Sequence, residues 1–117
     1  MGADVRRGDV ERISRGEIWL VEPIGFPKPR PALVLSINAI NDLRPDVLLV
    51  PLTTKQGPLR VGLSEGSMTG LKEKTFAKCE SIGPVHKSRL KRKIGLVHAN
   101  DLAQVGLGVM RVLGLEG

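Results

Sequence analysis

The sequence predicts a mainly β domain, a small barrel or strongly curled sheet, closed by one C-terminal helix. Fourteen glycines and eight prolines interrupt the 117 residues, which favours many turns and short strands over long helices. Short apolar runs rich in β-favouring residues recur between them. After residue 99 the apolar spacing lengthens to three and four. A hydrophobic content of 41% against 26% charged residues suits a packed globular chain. At this length a second independent core would leave each half too small to bury much apolar surface.

Residues 1–14 form a polar N-terminal extension, expected to be flexible, ahead of a domain spanning 15–117. The first strand is expected at 17–21 (EIWLV), opened by Gly16. Pro23, Gly25, Pro27, Pro29 and Pro31 crowd the next segment, so 23–29 reads as a loop of restricted shape. Further strands are expected at 32–37 (ALVLSI), 46–52, 59–63, 75–82 with a bend near Glu80, and 93–98; residues 38–44 suit one helical turn. Asn100 or Asp101 can cap the final helix, whose apolar face would be Leu102, Val105, Val109 and Leu113. Gly106 and Gly108 weaken that helix, which must then be held by packing on the sheet.

Composition removes several functional classes. Trp19, Phe26 and Phe76 are the only aromatic residues, too few for an RNA reader built on a row of stacking rings. No apolar run is long enough to span a bilayer. The leader mixes three acids with three bases and holds no signal-peptide core. Arg6 stands where a myristoylation motif requires Ser or Thr. Cys79 is the single cysteine, which rules out an internal disulfide and a multi-cysteine metal site. The expected location is the cytoplasm, with no membrane association.

The net charge is +6, and five bases (Lys87, Arg89, Lys91, Arg92, Lys93) fall within residues 86–93 without an acid. The remainder is nearly balanced. A concentrated basic stripe suits a polyanion; equally, a solvated loop carries such charges for solubility.

Familiar catalytic motifs are absent. Lys87-Ser88 lacks the glycines of a phosphate-wrapping loop, and Gly106-x-Gly108 has Arg111 where a dinucleotide fingerprint has its third glycine. His86 and His98 stand apart, the acids are scattered, and no serine has the glycine flanks of a hydrolase nucleophile. No metal or cofactor is expected. Two segments carry more. Lys28-Pro29-Arg30-Pro31 mounts an arginine between two prolines at a strand start, and arginine grips phosphate through two N–H donors. Thr53-Thr54-Lys55-Gln56 ends an apolar strand in hydroxyl, cation and amide groups. Spacing alone favours the simpler readings, a snorkelling arginine and threonines that finish a strand.

Together, Gly16-Glu17-Ile18-Trp19, Arg30-Pro31-Ala32-Leu33-Val34-Leu35-Ser36 and Val50-Pro51-Leu52-Thr53-Thr54 resemble the MazF/PemK toxin family. Gly70-Leu71, Arg89-Leu90, Ile94-Gly95 and Leu113-Gly114-Leu115 follow in the family's order, so the resemblance covers about residues 15–115. It implies a small SH3-like β-barrel of the MazF/CcdB type with a C-terminal helix, acting as a homodimer. It also implies a sequence-specific, metal-independent ribonuclease of a type II toxin-antitoxin system, cutting single-stranded RNA by 2′-hydroxyl attack. The products would be 2′,3′-cyclic phosphate and 5′-hydroxyl ends. By position in the motifs, Arg30 and Thr53 fall on the family's catalytic residues, with Lys28, Thr54, Lys55 and Gln56 nearby on the RNA. The implied inhibitor is a cognate antitoxin whose acidic, disordered tail folds onto the basic surface.

The sequence departs from the family in two places. The loop over 22–29 is short, and Glu80-Ser81 replaces a frequent acid-glutamine pair. Other classes on the same scaffold are a CcdB-like gyrase poison, which relies on a tryptophan near the end of the C-terminal helix, and an RNA-binding barrel without catalysis. Here the one tryptophan is Trp19.

Overall fold

In the computed structural model, residues 12–22 and 28–115 are described. Most of the Pro-rich loop and all but the last three residues of the leader lie outside them. The strands are β1 (Glu17–Val21), β2 (Arg30–Val34), β3 (Asp46–Thr53), β4 (Val61–Leu63), β5 (Thr75–Ala77), β6 (Gly83–His86) and β7 (Leu90–Leu96). Helix α1 (Asn38–Leu43) joins β2 to β3, and α2 (Ala99–Val112) ends the domain. The strands run β4-β5-β3-β2-β1-β7, with β6 also on β3, in one curled antiparallel sheet.

Strand β3 is the hub. One edge pairs with β2; the other pairs first with β6 (Asp46 to Leu49) and then with β5 (Leu52 and Thr53). Pro51 sits where β6 hands over to β5. Its carbonyl accepts the Lys78 N–H at 2.8 Å on that edge, so the missing proline N–H falls in the gap and breaks no ladder bond.

Both faces of the central strands β1, β2 and β3 are largely buried, which is why they read as nearly continuous apolar runs. Ile18, Leu33, Val50 and Leu52 pack with Val105 and Val109 of α2. Trp19, Val21, Ala32, Val34, Val47 and Leu49 form a second cluster on the opposite face. Glu17 and Trp19 point the same way, and the Glu17 carboxylate is buried there. It accepts the Trp19 Nε1–H and the Ser14 N–H at 2.9 Å each, with Lys93 Nζ at 3.4 Å. The Gly-Glu-Ile-Trp signature is therefore a folding element, because a buried carboxylate needs these donors. Ile13 joins the second cluster, and Arg12 pairs with Asp42 at 2.7 Å, so the end of the leader is packed.

Several expected boundaries shift. Strands expected at 32–37, 59–63 and 93–98 lie at Arg30–Val34, Val61–Leu63 and Leu90–Leu96. The strand expected at 75–82 stops at Ala77, becomes a 3₁₀ turn over Cys79–Ser81, and resumes as β6. That turn puts Cys79 into the core beneath α2, where a Cβ on Gly108 would meet its sulfur at 2.6 Å. The N-cap position of helix α2 is His98 rather than Asn100 or Asp101, so the helix begins at Ala99. Asp101 lies in its first turn and accepts both the N–H and the hydroxyl of Ser64 at 2.9 Å. Leu113 is exposed, because the helix ends there: the Leu115 N–H reaches back to Met110 and the Gly114 N–H to Arg111.

Gly70 and Gly95 let the 66–71 loop lie directly on β7. A Cβ on Gly95 would stand 2.0 Å from the Thr69 carbonyl oxygen, and one on Gly70 2.2 Å from that of Ile94. Gly95→Ala should therefore lower stability by about 3 kcal/mol, read as a fall in the urea midpoint, while Gly106→Ala, facing open space, should not lower it. Burial also raises the Cys79 thiol pKa, so Cys79 should resist a thiol reagent at pH 8 until the protein is unfolded.

Candidate functional site

The β2–β3 ladder runs from Val34↔Leu49 through Leu33↔Val50 to Ala32↔Pro51. The pairing ends there; Arg30 at the start of β2 and Thr53 at the end of β3 each lie two residues beyond its last pair. Arg30 is exposed and Thr53 half-buried. They border an open cleft of about 470 Å³ with Leu20, Leu52, Leu71 and Ile94 among its apolar walls. Among the described residues, Lys28, Arg30, Lys55 and Lys72 line it with one carboxylate, Glu73, so these groups make it cationic.

The Thr53 hydroxyl oxygen accepts the Lys55 N–H at 3.2 Å. With the oxygen engaged as an acceptor, the hydroxyl proton is left to donate elsewhere. The loop after Thr53 is held from outside the cleft by Arg60. Its Nη1 donates to the Lys55 carbonyl at 2.9 Å, while Nε and Nη2 donate to Glu80 Oε2 at 3.1 and 2.8 Å. That grip, with backbone N–H donation adding to it, holds the Glu80 carboxyl below its ordinary pKa.

Of the residues singled out in the sequence, Lys28, Arg30, Thr53, Thr54 and Lys55 share this cleft. Gln56 is exposed and is not among the lining residues, because the chain turns away after Lys55. Lys72, Glu73 and Thr75 also line the cleft. They were not anticipated: a polar stretch between two strands carries no signal of where it returns.

A second hollow of about 500 Å³ lies beyond Arg30, which borders both. Val21, Leu49, Pro84 and Val85 give it an apolar wall, with His86 and Arg89 also lining it. His86 Nδ1 accepts the Ser88 N–H at 3.1 Å, so the neutral ring carries its proton on Nε2. His98 instead sits at the start of α2. The basic stripe is divided: Arg89 lines the hollow, Lys91 pairs with Glu22 and Lys93 with Glu17, each at 3.4 Å, and Arg92 is exposed on β7.

Comparison with known proteins identifies the family. The sequence model of the PemK-like, MazF-like toxins of type II toxin-antitoxin systems matches residues 14–113. The chain belongs to that family. A mycobacterial endoribonuclease solved with its cognate antitoxin shares the fold at TM-score 0.78 and 24% identity, covering 90% of this chain and 98% of that one. The MazE-MazF complex from Deinococcus radiodurans (Form-II) gives 0.76 and 24%, covering 91% and 99%. The Mycobacterium tuberculosis toxin MazF-mt6 gives 0.74 and 19%, covering 86% and 99%. Comparison with curated protein sequences gives no match.

Two outcomes follow from the exposure and charge of these groups. Arg30→Ala and Thr53→Val should each stay within about 0.5 kcal/mol of the parent in chemical unfolding, as for other accessible positions outside the core. Because the folded Glu80 carboxyl lies below its ordinary value, its contribution is complete above about pH 4.3 and is lost as pH falls through the lower folded pKa. The Tm difference between the parent and Glu80→Gln should thus stay constant from about pH 7 to 5 and shrink below about pH 4. Solvent screening keeps that difference small.

Proposed function

We propose that the protein is a toxin that cleaves single-stranded RNA at a short sequence without a metal ion. The observation that carries this reading is that Arg30 and Thr53, from the adjoining ends of two paired strands, line one cationic cleft. Family membership and the endoribonucleases that share the fold support it.

The RNA 2′-oxygen attacks the adjacent phosphorus, forming the O2′–P bond as the P–O5′ bond breaks. The 2′-hydroxyl loses its proton to a base and the departing O5′ gains one, leaving a 2′,3′-cyclic phosphate and a 5′-hydroxyl. Negative charge builds on the phosphoryl oxygens in between. Arg30 supplies a fixed positive charge and two N–H donors to them, and the Thr53 hydroxyl donates a further hydrogen bond. Arginine stays protonated, so Arg30 acts as an electrostatic stabiliser and the base is another group. Lys28, Thr54 and Lys55 hold the flanking phosphates, and exposed Gln56, next to Lys55 in the chain, is a further RNA contact.

The protein acts in the cytoplasm as a homodimer, a state carried over from the family. Its inhibitor is a cognate antitoxin with an acidic, disordered tail, for which the cleft's excess of cations is complementary. The Deinococcus relative is a MazE-MazF complex.

The test is incubation of a long single-stranded RNA with purified protein in EDTA. Fragments should appear at a recurring sequence and accept label from polynucleotide kinase without prior phosphatase treatment, as 5′-hydroxyl ends do. Arg30→Ala and Thr53→Val should each lower the rate on the order of a hundredfold. Intact RNA in the presence of folded parent protein would overturn the reading; salt-sensitive RNA binding without cleavage would favour the non-catalytic barrel.

A further inference from the structure

We propose that Arg60 is a positioning residue for Thr53, acting through the Lys55 peptide, with Glu80 as its anchor. The inference rests on the ribonuclease reading above and adds residues that the cleft's lining does not include.

The chain of contacts is continuous. Glu80 Oε2 accepts from Nε and Nη2 of Arg60, and Nη1 of the same guanidinium donates to the Lys55 carbonyl. On the other side of that residue, the Lys55 N–H donates to the Thr53 hydroxyl oxygen. Arg60 thus fixes the residue whose N–H fixes the hydroxyl rotor. Its side chain is only 19% exposed, and the 54–60 loop closes over it: a Cβ on Gly57 would stand 3.2 Å from Nε. A guanidinium suits this place because its fork reaches two acceptors in different directions at once. Lysine, with one nitrogen on a flexible stem, keeps the charge and loses the bridge.

The anchor also gives Glu80 a role. Cys79 is held in the core, and the Lys78 N–H is held by Pro51 of β3. Glu80, between them and the solvent, is therefore mounted on the rigid part of the fold. Through Arg60 it ties a solvent-facing loop to that frame. A donor aimed at a developing charge must be held within about half an ångström to act fully, and a strand end followed by a free loop would not provide this.

The experiment compares the parent, Arg60→Ala, Arg60→Lys and Glu80→Gln in RNA cleavage, together with amide hydrogen exchange at Lys55 in the free proteins. Arg60→Ala should lower kcat on the order of tenfold with little change in KM, and Arg60→Lys should fail to restore it. The Lys55 amide should exchange faster in both Arg60 variants. Glu80→Gln should fall between the parent and Arg60→Ala, and the double variant should be no worse than Arg60→Ala alone, as expected for one linear chain. A raised KM with unchanged kcat would make Arg60 an RNA contact and overturn the proposal. So would unchanged cleavage by Arg60→Ala, which leaves the ribonuclease reading standing. An inactive parent removes that reading instead. Unchanged Lys55 exchange in Arg60→Ala overturns the positioning role whether or not the parent cleaves.

Discussion

The register between β2 and β3 is the constraint on which the rest of this molecule depends. With Ala32 opposite Pro51, Arg30 and Thr53 follow just beyond the same ladder and line one cleft. A slip of one residue would send the two side chains to opposite faces. In many sheets such a slip is prevented because one face is apolar and the other polar. Here both faces are apolar, so hydrophobic alternation discriminates weakly. Register is pinned instead at the end of the pairing nearest α1, where the Leu48 N–H donates to the Ser36 hydroxyl, which in turn donates to the buried Asn41 of α1. Moving the strands would strand these buried polar groups without partners, which is costly.

The same framework separates structural charges from those facing the cleft. Lys93 helps neutralise buried Glu17, and Lys91 pairs with Glu22 on the outer face. Lys28, Arg30, Lys55 and Lys72 face the cleft, with Glu73 the only opposing carboxylate among its lining residues. A dense run of basic residues is thus less informative than a sparse set converging from three separate segments. Phosphate attraction depends on distance in space, and only folding fixes that distance.

Much of the fold was legible. The Glu17–Val21 strand lies where its aliphatic and aromatic content puts it, and the single turn of α1 and the last helix follow from polar composition and three-and-four spacing. The 75–82 segment was not legible as it folds. Its apolar residues suit one strand, but Cys79 is drawn beneath Gly108 and Glu80 is turned toward Arg60, contacts with residues about twenty or more positions away. Trp19 stands in the first expected strand; that its indole N–H satisfies the buried Glu17 is visible only in three dimensions. At the cleft, Gln56 follows Lys55 in sequence but leaves it in space, while Lys72 enters from a stretch with no motif.

What the sequence by itself determined is the set of local facts: where most strands begin and end to within a few residues, a guanidinium between two prolines at a strand start, the hydroxyls where β3 ends, and motifs close enough to place the chain in its family. These depend on residue type and near neighbours, which a linear string records. The tertiary structure decided which of those groups share a cleft, which cations are already neutralised, and what holds the Thr53 loop. Those depend on strand register and on hydrogen bonds that close long loops, and both are settled by buried polar groups finding partners far away in the chain.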